Sequence, residues 1–345
     1  MTATDTHRAI DAVWRIESPR LIAGLVRMVR DLGLAEELAQ DALVAALERW
    51  PTSGIPENPG AWLTATAKRR AIDVLRRTKR FEERRDQLGH EQSEHDESAA
   101  RDLDAAIDDD VGDVGDDLLR LVFIACHPVL TTEARVALTL RVLGGLTTDE
   151  IARAFLVPEP TVAQRIVRAK RTLSNAHVPF ELPRGTELTA RVSSVLEVLY
   201  LIFNEGYAAT AGDDWMRPAL CEDALRLGRV LAELMPNEPE VHGLVALMEI
   251  QASRTPARIS PTGEPVLLLE QNRAHWNHVL VRRGLAALDR AERLIAANAP
   301  ATTGPRPAMR GPYTLQAAIA ACHARAHTAE QTDWVRIAAL YAALA

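Results

Sequence analysis

The chain has 345 residues, a formal net charge of -7 at pH 7, 47% hydrophobic residues and only 4% aromatic residues. This length predicts two or three domains, and the composition is typical of an Ala- and Leu-rich helical protein rather than a β-sandwich or barrel. No apolar run is long enough to span a bilayer, the N-terminus lacks a signal-peptide core, and the three scattered cysteines exclude a disulfide framework, so we expect a cytoplasmic protein without membrane contact.

The first informative segment, AEELAQDALVAALERW (residues 35–50), has the period of an amphipathic helix. Its apolar residues share one broad face, and the opposite face is mostly polar. That polar face consists of Glu37, Gln40, Asp41, Val44 and Glu48. A stripe of this kind is suited to docking on another protein, but a solvated acidic face explains it equally well.

The next predicted helix, AWLTATAKRRAIDVLRRTKR (residues 61–80), concentrates positive charge in an acidic chain. Leu63, Ala67 and Ala71 fall on the face expected to pack inward. The outer face and its flanks carry Trp62, Lys68, Arg69, Arg70, Asp73, Arg76, Arg77 and Arg80. An aromatic ring for base stacking beside guanidinium groups for phosphates is what single-stranded nucleic acid requires. The alternative is a solvated basic face without a ligand.

A strongly acidic segment, residues 91–117, follows and contains too few apolar residues to order itself. We expect it to be a linker. Two interpretations of its charge remain: a flexible, solvated spacer, or a negative cover over part of a basic DNA-binding surface. The periodic apolar pattern resumes at Leu118.

The segment GGLTTDEIARAFLVPEPTVAQRIVRAKRTL (residues 144–173) predicts a helix-turn-helix. Thr147 and Glu150 form a capping box for a short helix, and Leu156 to Pro158 form the turn. The second helix has an apolar stripe expected to be buried. The stripe consists of Val162, Ile166, Ala169 and Leu173. Leu156 occupies a position where glycine is frequent, so it must avoid the left-handed conformation or adopt it at a cost.

The outer face of that second helix is the candidate recognition surface. It carries Gln164, Arg168 and Arg171, which would face base edges or phosphates in the major groove. Thr161, Arg165 and Lys170 lie at its sides, with Arg165 and Lys170 placed for the DNA backbone. The alternative is an ordinary helical hairpin with an arginine-rich solvent face.

A third helical region starts near Thr189 and has several helices without a clean repeat period. Its first helix is predicted to bury Val192, Leu199 and Phe203, and it ends in Asn204, Glu205, Gly206 and Tyr207. Gly206 fits a C-cap, whereas Asn204 and Glu205 alternatively line a regulatory groove. His275, Trp276 and His278 have no acidic or cysteine partner at ligand spacing, so no metal site is expected. The chain stops within a helical pattern, as a fragment of a longer protein would.

Together these motifs resemble the extracytoplasmic-function sigma factors, bacterial initiation subunits of RNA polymerase, over about the first half of the chain. Residues 35–50 resemble the helix that docks on polymerase core, residues 58–77 the segment that melts and reads the minus-ten element, and residues 147–173 the minus-thirty-five reader. Gln40 and Asp41 match the family's contact positions. Arg69 departs from the usual asparagine, which leaves the details of minus-ten reading open.

The third region, with the phrase YLIFNEGY, resembles a subgroup that has a large helical, tetratricopeptide-like C-terminal extension. The resemblance implies regulation through that extension, and we expect an intramolecular contact between it and the sigma domains. The expected architecture is all-α. It comprises a region-two domain (1–85), an acidic linker (86–117), a region-four helix-turn-helix domain (118–178) and the extension (179–345).

The motifs are compatible with three classes of function. The leading interpretation is an alternative sigma factor that binds polymerase core and directs promoter recognition and melting, with RNA polymerase core and promoter DNA as partners. A conventional helix-turn-helix regulator and a helical scaffold are the alternatives. No phosphate-binding loop, dinucleotide turn, metal cluster or nucleophile elbow is present in the sequence, so we expect no catalytic residues and no cofactor.

Overall fold

The computed structural model describes residues 3–87, 114–208, 216–260, 264–298 and 310–344. Within these ranges the regular elements are helices, and the only bridge is an isolated one between Ile259 and Pro265. The predicted all-α class is confirmed. The chain forms two compact units, one of Met1–Arg153 with Val157–Val192 and one of Ala154–Leu156 with Ser193–Ala345.

The first unit opens with three mutually packed helices, α1 (Ala3–Val29), α2 (Leu32–Ser53) and α3 (Pro59–Gln87). The carboxylate of Asp31 caps α2 by accepting a hydrogen bond of 2.8 Å from the Leu34 amide. The face of α2 predicted to be apolar is buried except at the half-buried Leu43 and Leu47, and it ends in the fully enclosed Trp50. This packing leaves the polar face of α2 and the basic face of α3 toward solvent.

Four shorter helices complete the helical part before residue 185: α4 (Val114–Ala125), α5 (Thr132–Val142), α6 (Thr148–Phe155) and α7 (Glu159–Asn175). The predicted linker end was wrong, because α4 begins at Val114 rather than Leu118. Asp116 and Asp117 stand in its first turn, where negative charge favours a helix. The linker residues 88–113 lie outside the described residues.

The second unit contains most of α8 (Gly185–Tyr207) and the helices α9 (Pro218–Leu234), α10 (Pro239–Ser253), α11 (His278–Ala297), α12 (Pro312–Arg325) and α13 (Trp334–Leu344). Its centre is α10, which packs against α9, α11 and α12. A helix that is apolar on every side is expected in such a position, and α10 is buried along almost its whole length. None of the helices in the described ranges combines the length and apolar character needed to cross a membrane.

Candidate nucleic-acid and polymerase interfaces

The predicted helix-turn-helix is formed by α6 and α7. Thr147 and Glu150 make the reciprocal capping box: the Glu150 amide donates to Thr147 Oγ1 (3.1 Å), and the Thr147 amide donates to Glu150 Oε2 (2.8 Å). The turn places Leu156 at φ 50°, the left-handed conformation that leucine adopts only at a cost. Of the two alternatives given by the sequence, Leu156 therefore adopts the left-handed conformation at a cost rather than avoiding it.

The exposed face of α7 agrees with the predicted recognition surface. The predicted stripe of Val162, Ile166, Ala169 and Leu173 is buried. Gln164, Arg168 and Arg171 are exposed, whereas Thr161, Arg165 and Lys170 are half-buried at the sides. Sequence reasoning missed Val167, whose 63% exposure places an apolar side chain on the helix surface. The sequence signal that could have identified Val167 is an apolar residue at a position outside the buried stripe of the helix.

The basic face of α3 is open to solvent over much of its length. Arg69, Asp73, Arg77 and Arg80 are exposed, and Lys68, Arg70 and Arg76 are half-buried. Trp62 is also half-buried, and its ring packs edge-on against Trp50 with centroids 5.3 Å apart. Part of the Trp62 ring therefore serves the packing between α2 and α3, which periodicity alone did not predict.

The polar face of α2 lies beside the basic helix. Glu37, Asp41, Val44 and Glu48 are exposed, and Gln40 is half-buried. Asp41 Oδ2 lies 2.7 Å from Arg70 Nη1, so the predicted polymerase-contact face and the predicted minus-ten face share an ion pair. Gln40 Nε2 donates to Glu36 Oε1 at 2.6 Å.

Glu36 is the charged centre of the first unit, and the sequence analysis did not single it out. Its side chain is almost completely buried, yet Arg141 Nε donates to Oε1 at 2.7 Å and Lys170 forms an ion pair with Oε2. Burial alone would raise the pKa of Glu36, but the cations of Lys170 and Arg141 outweigh it and hold the pKa below its ordinary value. No local sequence pattern predicts this cluster, because its members come from three separate helices.

Further contacts join α1 to α4 and to the helix-turn-helix of the same unit. Arg15 Nη2 lies 2.6 Å from Glu150 Oε1, and Arg27 Nε lies 3.2 Å from Asp117 Oδ2. Gly145 has φ 72°, and a Cβ there would lie 3.2 Å from Arg15 Cα, so glycine satisfies both the backbone angle and the close approach. Contacts from α1 and α2 therefore reach all four of the helices α4, α5, α6 and α7.

The four residues that end α8 have partners within the second unit. Glu205 forms an ion pair with Arg217, and Tyr207 Oη donates to Gln251 Oε1 at 3.2 Å. The C-cap interpretation of Gly206 was wrong: the residue lies inside the last helical turn, where a Cβ would lie 2.7 Å from the Cys221 backbone nitrogen. Asn204 is exposed.

His275, Trp276 and His278 differ in their exposure to solvent. His275 and His278 are exposed, and Trp276 is buried against Ala257 and Val281. Within the described part of the chain, no group of three or more histidine, cysteine or acidic side chains could hold a metal ion.

Comparison with known sequences divides the chain in the same order as its motifs. Sigma-70 region 2 matches residues 14–81, Sigma-70 region 4 matches residues 120–173, and a family of unknown function, DUF6596, matches residues 191–292. No solved structure matches the chain significantly.

The similarity to individual proteins covers either nearly the whole chain or about half of it. An uncharacterized protein of Rhizobium meliloti (strain 1021) is 41% identical over 331 residues, which cover 94% of this chain and 73% of the relative. The ECF RNA polymerase sigma factor SigK of Mycobacterium ulcerans (strain Agy99) is 31% identical over 159 residues, which cover 45% of this chain and 78% of SigK. A probable ECF sigma factor, SigI of Mycobacterium tuberculosis (strain CDC 1551 / Oshkosh), is 28% identical over 50% of this chain and 57% of its own length.

The SigK similarity covers most of that protein, and the regions matched to Sigma-70 regions 2 and 4 contain α3 and the helix-turn-helix. The chain therefore belongs to the ECF RNA polymerase sigma factors and is an alternative sigma factor.

Proposed function

We propose that this chain binds RNA polymerase core and holds both promoter elements, with each task assigned to one helix surface. Residues 1–85 form the region-two domain, residues 118–178 the region-four domain, and residues 179–345 a helical extension. The similarity to Sigma-70 regions 2 and 4 supports the first two assignments. The single observation that carries the proposal is that α7, which follows the capped helix α6 and a tight turn, exposes Gln164, Arg168 and Arg171 on one face.

The minus-thirty-five element is read by α7. Gln164, Arg168 and Arg171 project from one exposed face, with side chains that bond base edges or phosphates in the major groove. Val167 lies on the exposed surface of the same helix and offers an apolar contact for a thymine methyl group. Thr161, Arg165 and Lys170 contact the DNA backbone at the sides.

The minus-ten element is melted and held by α3. The basic side chains from Lys68 to Arg80 neutralise phosphates, and Asp73 lies among them on the exposed face. Trp62 retains partial exposure beside Trp50, which leaves ring surface for stacking on an unpaired base.

Polymerase core docks on the polar face of α2. Glu37, Asp41, Val44 and Glu48 form an exposed stripe on a helix whose other face is anchored in the core of the unit. Gln40 lies at the edge of the stripe, and its amide is held by Glu36. Because the helix is rigidly packed, binding on this face has a small ordering cost.

The helical extension modulates this activity, as a tetratricopeptide-like regulatory domain in contact with the sigma domains. Its support is that most of the extension, Ser193–Ala345, belongs to the second compact unit, and that residues 191–292 match a family of unknown function. Glu205, Gly206 and Tyr207 stabilise the extension through internal contacts, and the exposed Asn204 marks the adjacent surface at the end of α8.

The test is core binding and promoter-dependent transcription with purified bacterial core polymerase. We expect the full chain to copurify with core, and Arg168→Ala to lower transcription from duplex promoters while leaving core binding unchanged. A chain ending at Val192, shown by circular dichroism to be folded, would differ from the full chain in transcription if the extension is regulatory. Duplex binding without any core binding would instead identify a conventional regulator and overturn the proposal.

A further inference from the structure

The region-two and region-four parts of this chain are joined by charge as well as by packing. Glu36 of α2 belongs to region two, whereas Arg141 and Lys170 belong to region four, and both cations engage its carboxylate. Glu36 is only 3% exposed, so the interaction takes place largely out of water, where charge attraction is strong.

The contact uses side chains that the proposed function needs elsewhere. Lys170 lies on the flank of the proposed minus-thirty-five helix, and its ammonium group is turned toward Glu36 rather than toward a DNA backbone. Gln40 lies at the edge of the proposed polymerase-contact face and donates to the same carboxylate. One buried acid thereby connects a DNA-contact residue to a polymerase-contact residue.

Other contacts of the closed unit reach the proposed minus-ten surface. A cleft of about 450 Å³ between α1 and α3 is lined by Lys68 and Asn58, and Asp117 of α4 also forms part of its wall. Asp117 is held there by Arg27 of α1. The first turn of α4, the helix that leads into region four, therefore borders the surface on which we place melted promoter DNA.

The closed unit is too small to hold both promoter elements at once. Elements centred about 25 base pairs apart are separated by roughly 85 Å at ~3.4 Å per base pair. In this structure α3 and α7 both pack on α2, which is about 33 Å long at ~1.5 Å per residue. The chain between Gln87 and Val114 is long enough, at ~3.3 Å per residue, to allow a separation of about 85 Å.

We propose that Glu36 is the latch of a closed, polymerase-free state, in which region two retains the minus-thirty-five helix through Lys170 and Arg141. This inference rests on the proposed function, because it requires the two helices to reach separate promoter elements. The latch opens when the chain engages polymerase and promoter. Until then, region four has reduced affinity for duplex DNA.

The test measures fluorescence energy transfer in the full chain between dyes on Thr78→Cys in α3 and Ser174→Cys in α7, both at exposed positions. The three native cysteines are buried, which protects them from labelling. We expect high transfer in the free chain and lower transfer in Glu36→Gln, which keeps the side-chain shape but removes the charge. Asp149→Asn is the matched control, because it removes an exposed carboxylate whose partner, Arg153, lies in the same helix.

A second readout is binding to a duplex that contains a minus-thirty-five element, without polymerase. Glu36→Gln should bind about tenfold more tightly than Asp149→Asn, a typical strength of coupling between two states. Circular dichroism is used to check that Glu36→Gln is folded. If it does not fold, the same energy-transfer measurement is made on Lys170→Met, which removes the more exposed partner of the ion pair.

The outcomes separate the latch from the proposed function. Unchanged energy transfer in folded Glu36→Gln and in Lys170→Met would overturn the latch, even if the chain directs transcription. Persistently high transfer in a transcribing promoter complex would also overturn it. Opening of Glu36→Gln in a chain that never binds polymerase core would support the latch and refute the proposed function.

Discussion

The carboxylate of Asp41 and the guanidinium of Arg70 form a 2.7 Å ion pair between α2 and α3. Both side chains are substantially exposed, so the pair contributes no more than about 1 kcal/mol to the free energy of unfolding. Its members belong to two different proposed surfaces, one for polymerase core and one for the minus-ten element. Replacing Asp41 and Arg70 one at a time breaks the same ion pair in both variants. The two variants therefore share any effect on stability, and they differ in which proposed surface loses a side chain.

We expect Asp41→Asn to lower the affinity for polymerase core by about tenfold, or ~1.4 kcal/mol. Arg70→Gln breaks the same ion pair but should retain core affinity and instead impair promoter melting. Core affinity is measured by titration with labelled chain, and melting by permanganate reactivity of the promoter. An equal loss of core affinity in both variants would show that the ion pair acts structurally.

Gly206 and Gly24 are two helical glycines with opposite surroundings. A Cβ on Gly206 would lie 2.7 Å from the backbone nitrogen and 2.9 Å from Sγ of Cys221, whereas a Cβ on Gly24 would meet nothing within 4 Å. Gly206→Ala should lower the free energy of unfolding by about 2–3 kcal/mol through overpacking. Gly24→Ala should raise it by about 0.5–1 kcal/mol, because alanine loses less conformational freedom in a helix.

Chemical denaturation of the full chain, monitored by circular dichroism, distinguishes these two alanine variants. If both shifted the denaturation midpoint in the same direction, the close approach of α8 and α9 would not control the effect. The comparison also tests whether the YLIFNEGY segment is needed for the packing of α8 on α9. Gly24→Ala is the control, because it introduces the same methyl group in α1, where there is space for it.

Leu156 stores strain in the turn before the recognition helix, at φ 50° and with 52% of its surface exposed. Leu156→Asn should relieve part of that strain, because asparagine tolerates the left-handed region. We expect the free energy of local opening to rise by about 0.5–1 kcal/mol, which slows hydrogen exchange of the α6 and α7 amides roughly two- to fivefold. Leu156→Ala keeps a Cβ in the strained conformation and should produce no such slowing.

Local periodicity was sufficient for the parts of the fold that depend on one helix at a time. The buried faces of α2 and α7 and the capping box of α6 follow from residues three or four positions apart. The exposed positions Gln164, Arg168 and Arg171 follow from the same argument. A helix face is fixed by its own sequence once its apolar stripe has a partner.

Interactions between distant segments could not be derived in this way. The ion pairs of Glu36 join three helices, and neither Arg141 nor Lys170 differs locally from other basic residues of the chain. Trp62 followed the helical period but also packs on Trp50, which belongs to another helix. Gly206 satisfied the local rule for a C-cap, but the need for glycine at this position comes from the close approach of Cys221 in α9. Tertiary contact decided each of these cases.

His127, just after α4, gives the first unit a dependence on mildly acidic pH. Burial and the nearby Arg191 cation lower its pKa to about 4, partly opposed by Glu187. Its Nδ1 accepts a 3.0 Å hydrogen bond from the Val129 amide, and protonation of that nitrogen would break the bond. Between about pH 6.5 and 4 the unfolded chain binds a proton that the folded chain does not, so the free energy of unfolding falls as pH decreases through this window.

His127→Asn keeps an acceptor for an amide two residues on but removes the titrating group. We expect the melting temperature of this variant to decrease less than that of the wild type between pH 7 and pH 5, by a few degrees. His275→Asn, which replaces an exposed imidazole, is the matched control. Parallel pH profiles for the wild type and His127→Asn would mean that His127 is protonated without cost in the fold. The acid sensitivity of the unit would then have to come from its carboxylates, of which Glu36 loses its stabilising charge only as pH falls below its ordinary pKa.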